Sequence, residues 1–251
     1  MLTERLSLQR KRVTSKDVAE QVGVSRTTVS LVLNNVQGIQ ISPETRQRVI
    51  EAANELGYVP NAAAQALVSR RTKAIGLVLT RTQHHIATDA FLPRIISGLL
   101  TTAKKHNIRI LIDWVETEHQ ESVYFELARA KRIDGMILST PRLNDTALKS
   151  LENMDIPTVL MGSVTGSKLP FVDVDNVKAA DKATSYLIGL GHREIACISN
   201  AQPEYTAAPE RVEGFRNALA RVNAPVNERL IRYADFDPES GISGVLSACG
   251  K

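Results

Sequence analysis

No apolar run in the 251-residue chain approaches the roughly 18 residues that cross a bilayer, so no membrane span is expected. The opening MLTERLSLQRKR lacks an apolar signal core, so export is not expected and a cytoplasmic address follows. Cysteine is scarce. Cys197 and Cys249 form no metal-like spacing, and Cys197 sits in the apolar run EIACIS, where a buried reduced thiol is the plain reading. There is no internal repeat and no low-complexity tract.

Catalytic signatures are missing as well. HExxH, CxxC and GxSxG do not occur, and GISG at 241–244 is only a near miss. A dinucleotide enzyme needs glycines directly after its first strand so that a pyrophosphate can approach. Here that loop reads TRTQHHIATDAF (80–91), with no glycine. GSVTGSK (162–168) has the wrong spacing for a phosphate loop. No enzyme, cofactor or bound metal is therefore expected. His84 and His85 read as polar loop residues, because no third ligand accompanies them at helical spacing.

What is present is an ordinary globular composition, 43% hydrophobic and 23% charged, long enough for more than one domain. The charge is unevenly placed. Residues 1–73 hold 11 Lys/Arg against 6 Asp/Glu, a net of +5, and residues 74–251 hold 20 against 21, a net of −1. The whole basic excess lies at the start, as a polyanion-binding module requires.

Residues 13–58 read as short helices. Thr14 can cap the first, with Asp17 completing a capping box, and Gly23 ends it. Ser25 can cap a second, roughly 26–34, with Val29, Val32 and Leu33 inward. Ser42-Pro43-Glu44 announces a third. The segment VTSKDVAEQVGVSRTTVSLVLNN (13–35) thus fits a helix-turn-helix, although a ligand-free helical hairpin fits the same pattern. In the DNA-binding form, the exposed start of the second helix enters the major groove. Arg26 can donate twice to guanine, and Thr27 can use hydroxyl or methyl on base edges. Ser25, Thr28, Ser30 and Asn34 suit phosphates. Residues 61–73 are either a linker or a marginal helix.

From residue 74 the rhythm changes. Apolar strands at 74–80, 108–114, 133–139, 157–161 and 194–199 alternate with helices near 92–106, 119–131, 144–154, 176–190 and 208–222. That alternation predicts right-handed βαβ units and a parallel sheet covered on both faces.

Residues 13–67 closely resemble the headpiece of the lactose-repressor (LacI/GalR) family, through VTxxDVAxxxGVSxxTVSxVLN, SPETRQRV and ELGYVPNAAAQAL. Weaker likeness continues through DGMIL (134–138), VDN (174–176), LIGLGHREIA (187–196) and RVEGF (211–215). The resemblance implies an all-α headpiece (13–58), a hinge helix and linker (59–73) and a periplasmic-binding-protein-like α/β core of two lobes (74–251). It implies a homodimeric repressor whose grip on double-stranded operator DNA is set by a small, sugar-like effector. Arg26, Thr27 and Leu31 fall on base-reading positions, and Thr14, Ser25, Thr28, Ser30, Asn34 and Tyr58 near the DNA backbone. Asn61, Ala64 and Leu67 fall on the minor-groove hinge, Leu67 on the wedge leucine, which could otherwise be a linker residue covering the core.

Leu31 stands where the family usually has Arg, so a half-site different from the common one is expected, with leucine packing on a thymine methyl. By the same resemblance Asp89, Phe91 and Arg211 are effector-binding candidates, with core packing or surface exposure as alternative readings for Phe91 and Arg211. Gly162 stands where some sugar-binding members carry Asp. Family members run longer than the 178 residues that follow the hinge here. The last strands of the second lobe are expected to be missing, in a fragment or a truncated product, with poor solubility as the consequence. A transport receptor fits less well, since it would need an export signal and no basic headpiece.

Overall fold

Helix caps written into the sequence set the start of the fold. The computed structural model describes residues 13–36, 38–69, 71–81, 83–115 and 120–250, and the chain divides into two compact units between Thr72 and Lys73. In the first unit, α1 (Ser15–Val22), α2 (Arg26–Leu33) and α3 (Pro43–Glu55) enclose Val18, Val22, Val29, Val32, Val49 and Ala52. The Asp17 carboxylate accepts from both the N–H and the hydroxyl of Thr14, each at 2.7 Å. Ser25 Oγ accepts from the Thr28 N–H at 3.0 Å, and Ser42 Oγ from the Thr45 N–H at 3.2 Å. Each such cap stabilises by about 1 kcal/mol. Gly23 closes α1 at φ +73°, a conformation that a side chain would strain. The stretch left open between linker and helix contains α4 (Ala62–Ser69).

The second unit carries a five-stranded, wholly parallel sheet. Its strands are β1 (Ala74–Leu79), β2 (Arg109–Trp114), β3 (Gly135–Ser139), β4 (Thr158–Met161) and β5 (Phe171–Val172), in the order β2-β1-β3-β4-β5. A separate parallel pair joins β6 (Cys197–Ser199) to β7 (Ile231–Tyr233). The helices are α5 (Gln83–Thr88), α6 (Leu92–Lys105), α7 (Gln120–Arg129), α8 (Ala147–Glu152), α9 (Asn176–Gly189), α10 (Ala207–Arg221) and α11 (Pro238–Ala248). β1 is buried on both faces: Ala74 and Val78 join Met136, Leu138 and Leu160 on one, while Leu77 and Leu79 join Leu92 on the other. In the second layer Ile188, Val212, Phe215, Leu219 and Ile231 form a core of their own. Cys197 is half-buried, and burial pushes its thiol pKa up.

Several expectations need correction. β2 was expected to be a buried strand, yet Leu111, Ile112 and Trp114 are 43%, 51% and 39% exposed. Among the described residues it pairs with β1 alone and forms the sheet edge, and an apolar run has the same composition in a central strand or an edge strand. His84 lies in α5, not in an irregular loop; the side chain of His85 lies outside the described residues. α8 is shorter than 144–154 because the Asp145 carboxylate accepts the Ala147 N–H at 3.0 Å and starts the helix there. Tyr186 of α9, Leu190 at its C-cap, and Ile242, Val245 and Leu246 of α11 are exposed.

Asp145 also accepts the hydroxyl of the fully buried Tyr124, at 3.1 Å. Burial raises the Asp145 pKa above the ordinary carboxylate value, with the hydrogen bonds from Tyr124 and the helix start opposing it. Burial likewise pushes the Tyr124 phenol far upward. The native state therefore holds the Asp145 proton more tightly than the unfolded chain does. Its contribution is fully present below the ordinary value and is lost as pH rises through the raised one. Urea titrations at pH 4 and pH 7 are expected to show Asp145→Asn gaining stability relative to the wild type at the higher pH. An unchanged difference between the two pH values would contradict the raised value.

Candidate nucleic-acid interface and effector cleft

The two central valines of α2, Val29 and Val32, are buried, which turns the opposite side of the helix outward. Arg26 occupies its first position and Thr27 its second, both exposed. The free N–H groups and partial positive charge of a helix N-terminus add to the Arg26 guanidinium and favour an anionic partner. Leu31 is half-buried, not fully exposed. Thr14 is exposed at the head of α1. Ser25 and Thr28 are tied to each other, Oγ to Oγ1 at 2.9 Å, so both hydroxyls sit at the cap of α2.

Asn34 caps the other end of α2, and its Nδ2 donates to Ser30 Oγ at 3.1 Å. Tyr58 packs against the helical core, with its N–H donated to the Ala53 carbonyl at 2.8 Å. Asn61 is exposed just before α4, and its carbonyl accepts the Gln65 N–H at 2.9 Å. Ala64 is exposed on α4, and Leu67 belongs to the helix with its side chain outside the described residues. Gln65, a residue that the sequence did not single out, donates from Nε2 to Asn34 Oδ1 at 2.7 Å. Arg48 is structural: its Nη2 donates to the Val22 carbonyl at 2.7 Å, tying α3 to the end of α1.

In the second unit the strand order reverses direction between β1 and β3, and the crevice outside the strand ends at such a point is where open α/β sheets bind ligands. The residues that follow those two strands meet there. The single Thr80 hydroxyl hydrogen is shared between the Ser139 and Thr140 carbonyls, both 2.7 Å from Oγ1. Arg81 reaches Thr140 Oγ1 through Nε at 3.1 Å and Nη2 at 2.7 Å, and pairs through Nη1 with Asp89. Its guanidinium also lies 4.1 Å from the centre of the Phe236 ring, in the segment after β7.

Phe236 meets Tyr205 edge to face at 5.0 Å, and the Arg142 guanidinium lies 5.1 Å over Tyr205, donating to its hydroxyl. An Arg–Phe–Tyr–Arg series thus links the end of the five-stranded sheet to the end of the two-stranded one. Such contacts contribute about 0.5–2 kcal/mol each, most where water is excluded.

Asp89, an effector-binding candidate, has its carboxylate engaged within the chain. It is paired with Arg81, and its other oxygen accepts the N–H groups of Phe91 and Leu92 at 2.6 and 3.2 Å, which starts α6. Phe91 is 60% exposed and is not core.

Arg211, on the first turns of α10, is half-buried, not a plain surface residue. Nε donates to Asn176 Oδ1 at 3.1 Å and Nη1 to Asn200 Oδ1, so α9, α10 and the residue that follows β6 together fix its direction. Asn176 is fully buried and donates onward to Glu210 at 3.1 Å. Burial raises the Glu210 pKa, helped by Asp173 and Asp175 and opposed by Asn176. Asn176 and Glu210 border an open cavity of about 280 Å³ that Ser163, Phe171, Asp173 and Asp175 also line. The Ser199 and Thr206 hydroxyls nearby in sequence, at the end of β6 and before α10, are buried without a partner among the described residues. Gly162 adopts φ +112° with Pro141 against its missing Cβ, which explains why no side chain stands there. No group of three or more His, Cys, Asp or Glu among the described residues could hold a metal. Arg81, Phe236, Tyr205 and Gln65 were not anticipated. The cue for Arg81 was its place immediately after the first strand; nothing local marks the others.

The family described as periplasmic binding proteins and sugar binding domain of LacI family matches residues 72–246, and that described as bacterial regulatory proteins, lacI family, matches 14–61. The HTH-type transcriptional regulator CelR of Thermobifida fusca is 32% identical over 240 residues, covering 94% of this chain and 70% of its own. The solved complex of the transcriptional regulator CelR with cellobiose superimposes with a TM-score of 0.65 at 31% identity, over 95% of this chain and 71% of the other. The Lac repressor dimer bound to operator and an anti-inducer shares the fold with a TM-score of 0.81 at 24% identity, over 96% and 71% of the two chains. The chain thus spans about 70% of the length of these proteins. With a helix-turn-helix match and a sugar-binding-domain match in tandem, this chain belongs to the LacI family of DNA-binding transcription regulators.

Proposed function

We propose that the chain is a repressor whose α2 reads an operator in the major groove while a saccharide held at the strand ends of the second unit sets operator affinity. The observation that carries this is α2 itself, which buries Val29 and Val32 and turns Arg26 and Thr27 outward at a positive helix end. Arg26, Thr27 and Leu31 read bases. Thr14, Ser25, Thr28, Ser30, Asn34 and Tyr58 face the DNA backbone. Asn61, Ala64 and Leu67 bring α4 to the minor groove, where an apolar wedge opens a base step. Functionally the chain divides into a headpiece (13–58), a hinge (59–73) and an effector domain (74–251), in accord with its two compact units.

The effector is sugar-like, as the CelR complex with cellobiose suggests. Arg211 anchors its hydroxyls, Phe91 and Phe236 offer apolar ring faces, and Asp89 acts through Arg81. Binding shifts the two layers across the Arg81–Phe236 contact and so alters operator affinity, by about 1–3 kcal/mol for couplings of this kind. A second copy of the chain covers the exposed apolar edge strand β2, and two headpieces then meet a pseudo-palindromic site. Among the described residues no helix is long and apolar enough to cross a membrane, which accords with work beside the DNA in the cytoplasm.

Duplex binding by the whole chain tests this. Affinity for a site selected from a randomised pool is expected to fall by orders of magnitude between 50 and 200 mM salt, as it does for proteins making several phosphate contacts. Arg26→Ala is expected to cost about 1–3 kcal/mol on that site and to relax selection at one position. Equal affinity of the wild type for selected and random duplexes would sink the reading.

A further inference from the structure

We propose that Gln65 of the hinge helix is a positioning residue for the phosphate grip of α2: through Asn34 it turns the Ser30 hydroxyl hydrogen toward the DNA backbone. This rests on the reading that α2 lies on DNA. The observation is a two-link chain of side-chain hydrogen bonds, Gln65 Nε2 to Asn34 Oδ1 at 2.7 Å and Asn34 Nδ2 to Ser30 Oγ at 3.1 Å. Its direction has a consequence. An amide NH2 only donates and an amide oxygen only accepts. With Gln65 donating, the Asn34 oxygen faces α4 and its NH2 faces Ser30. The Ser30 oxygen is then an acceptor, and its own hydrogen is left for an outside acceptor. Phosphate oxygens are such acceptors.

Several other helical hydroxyls spend that hydrogen internally, although Ser185 and Ser247, like Ser30, accept from a side chain. Ser69, Thr101 and Thr184 each donate to the carbonyl four residues back, at 2.8 Å. Among the described residues Ser30 makes no such bond. The Gln65 backbone is held independently, its N–H on the Asn61 carbonyl at 2.9 Å and its own carbonyl accepting from Ser69. Its side chain is therefore free to serve Asn34 only while α4 is helical. An eight-residue helix is marginal by itself, so the state of the hinge and the donor at Ser30 rise and fall together. The relay gives the hinge a route to α2 in addition to any contact of its own with DNA.

The test is a double-mutant cycle on the full 251-residue chain, with a duplex selected from a randomised pool and a mixed-sequence duplex as probes. Gln65→Ala and Ser30→Ala are each expected to weaken binding about three- to tenfold, the effect of one lost hydrogen bond. The double variant is expected to bind within about twofold of Ser30→Ala, since coupled residues do not add. Gln65→Glu keeps the shape but can only accept, so it reverses the chain and draws the Ser30 hydrogen inward. It is expected to weaken binding more in the Ser30 background than in the Ser30→Ala background, where only its added charge remains. Losses that multiply, or a Gln65→Glu chain that binds like the wild type, overturn the relay while leaving the α2 reading intact. A wild type that prefers no duplex overturns both. Thermal melts that coincide across the six proteins exclude misfolding as the cause.

Discussion

Gly214→Ala is expected to destabilise the second unit by about 3 kcal/mol, at the upper end of ordinary overpacking costs. A Cβ at 214 would lie 2.0 Å from the Val177 carbonyl oxygen and 2.9 Å from the Asp181 N, both main-chain atoms of α9. A flexible side chain could yield; a helix backbone has to move as a whole. For a unit of this size that cost corresponds to a fall of about 6–12 °C in the thermal midpoint. The damage also reaches the cleft, because separating α9 from α10 pulls Asn176 from Arg211, now 3.1 Å apart. Gly98→Ala supplies the control. Gly98 lies inside α6 with nothing within 4 Å of a Cβ, and alanine there should gain about 0.5–1 kcal/mol. If the two variants melt alike, the close approach of α9 and α10 is wrong.

Arg81→Leu is expected to cost about 3–5 kcal/mol, the usual penalty for leaving one buried charge of a pair alone. The side chains of Arg81 and Asp89 are 11% and 10% exposed, so water replaces little of what is lost. The substitution also removes two bonds to Thr140 and the stacking on Phe236. Asp89→Asn in the same chain should recover at least about 1 kcal/mol. It neutralises the orphaned charge and keeps an oxygen for the Phe91 and Leu92 N–H groups that start α6. Urea unfolding of the two variants and the wild type measures both steps. A single variant as stable as the wild type would mean that Arg81 does not hold the layers together.

The headpiece was readable almost residue by residue because its determinants are local. Thr14, Ser25 and Ser42 cap helices that begin within one residue of where the sequence places them, and Gly23 ends the first. The five strands anticipated from apolar runs are all present, within a few residues of their predicted starts. The two-residue strand β5 and the three-residue strand β7 were not anticipated, since pieces so short carry no period. β2 was misplaced for a related reason: an apolar strand says that it will pair, not how many neighbours it will have. The Asp89–Arg81 pair was not legible because Arg81 lies eight residues back, before α5, and Phe236 lies far along the chain beyond another strand.

What the sequence by itself determined is the order and type of the elements, the basic headpiece and the outward set of polar residues on α2. Caps, glycine turns and apolar spacing act over a few residues, and those signals survive without a partner. Only the tertiary structure decided that Arg81 and Arg142 stack on rings from the other layer, that Arg211 is aimed by Asn176 and Asn200, and that Gln65 reaches Asn34. Each of these depends on which strand ends and helices come together, a property of the packed chain that no local stretch encodes.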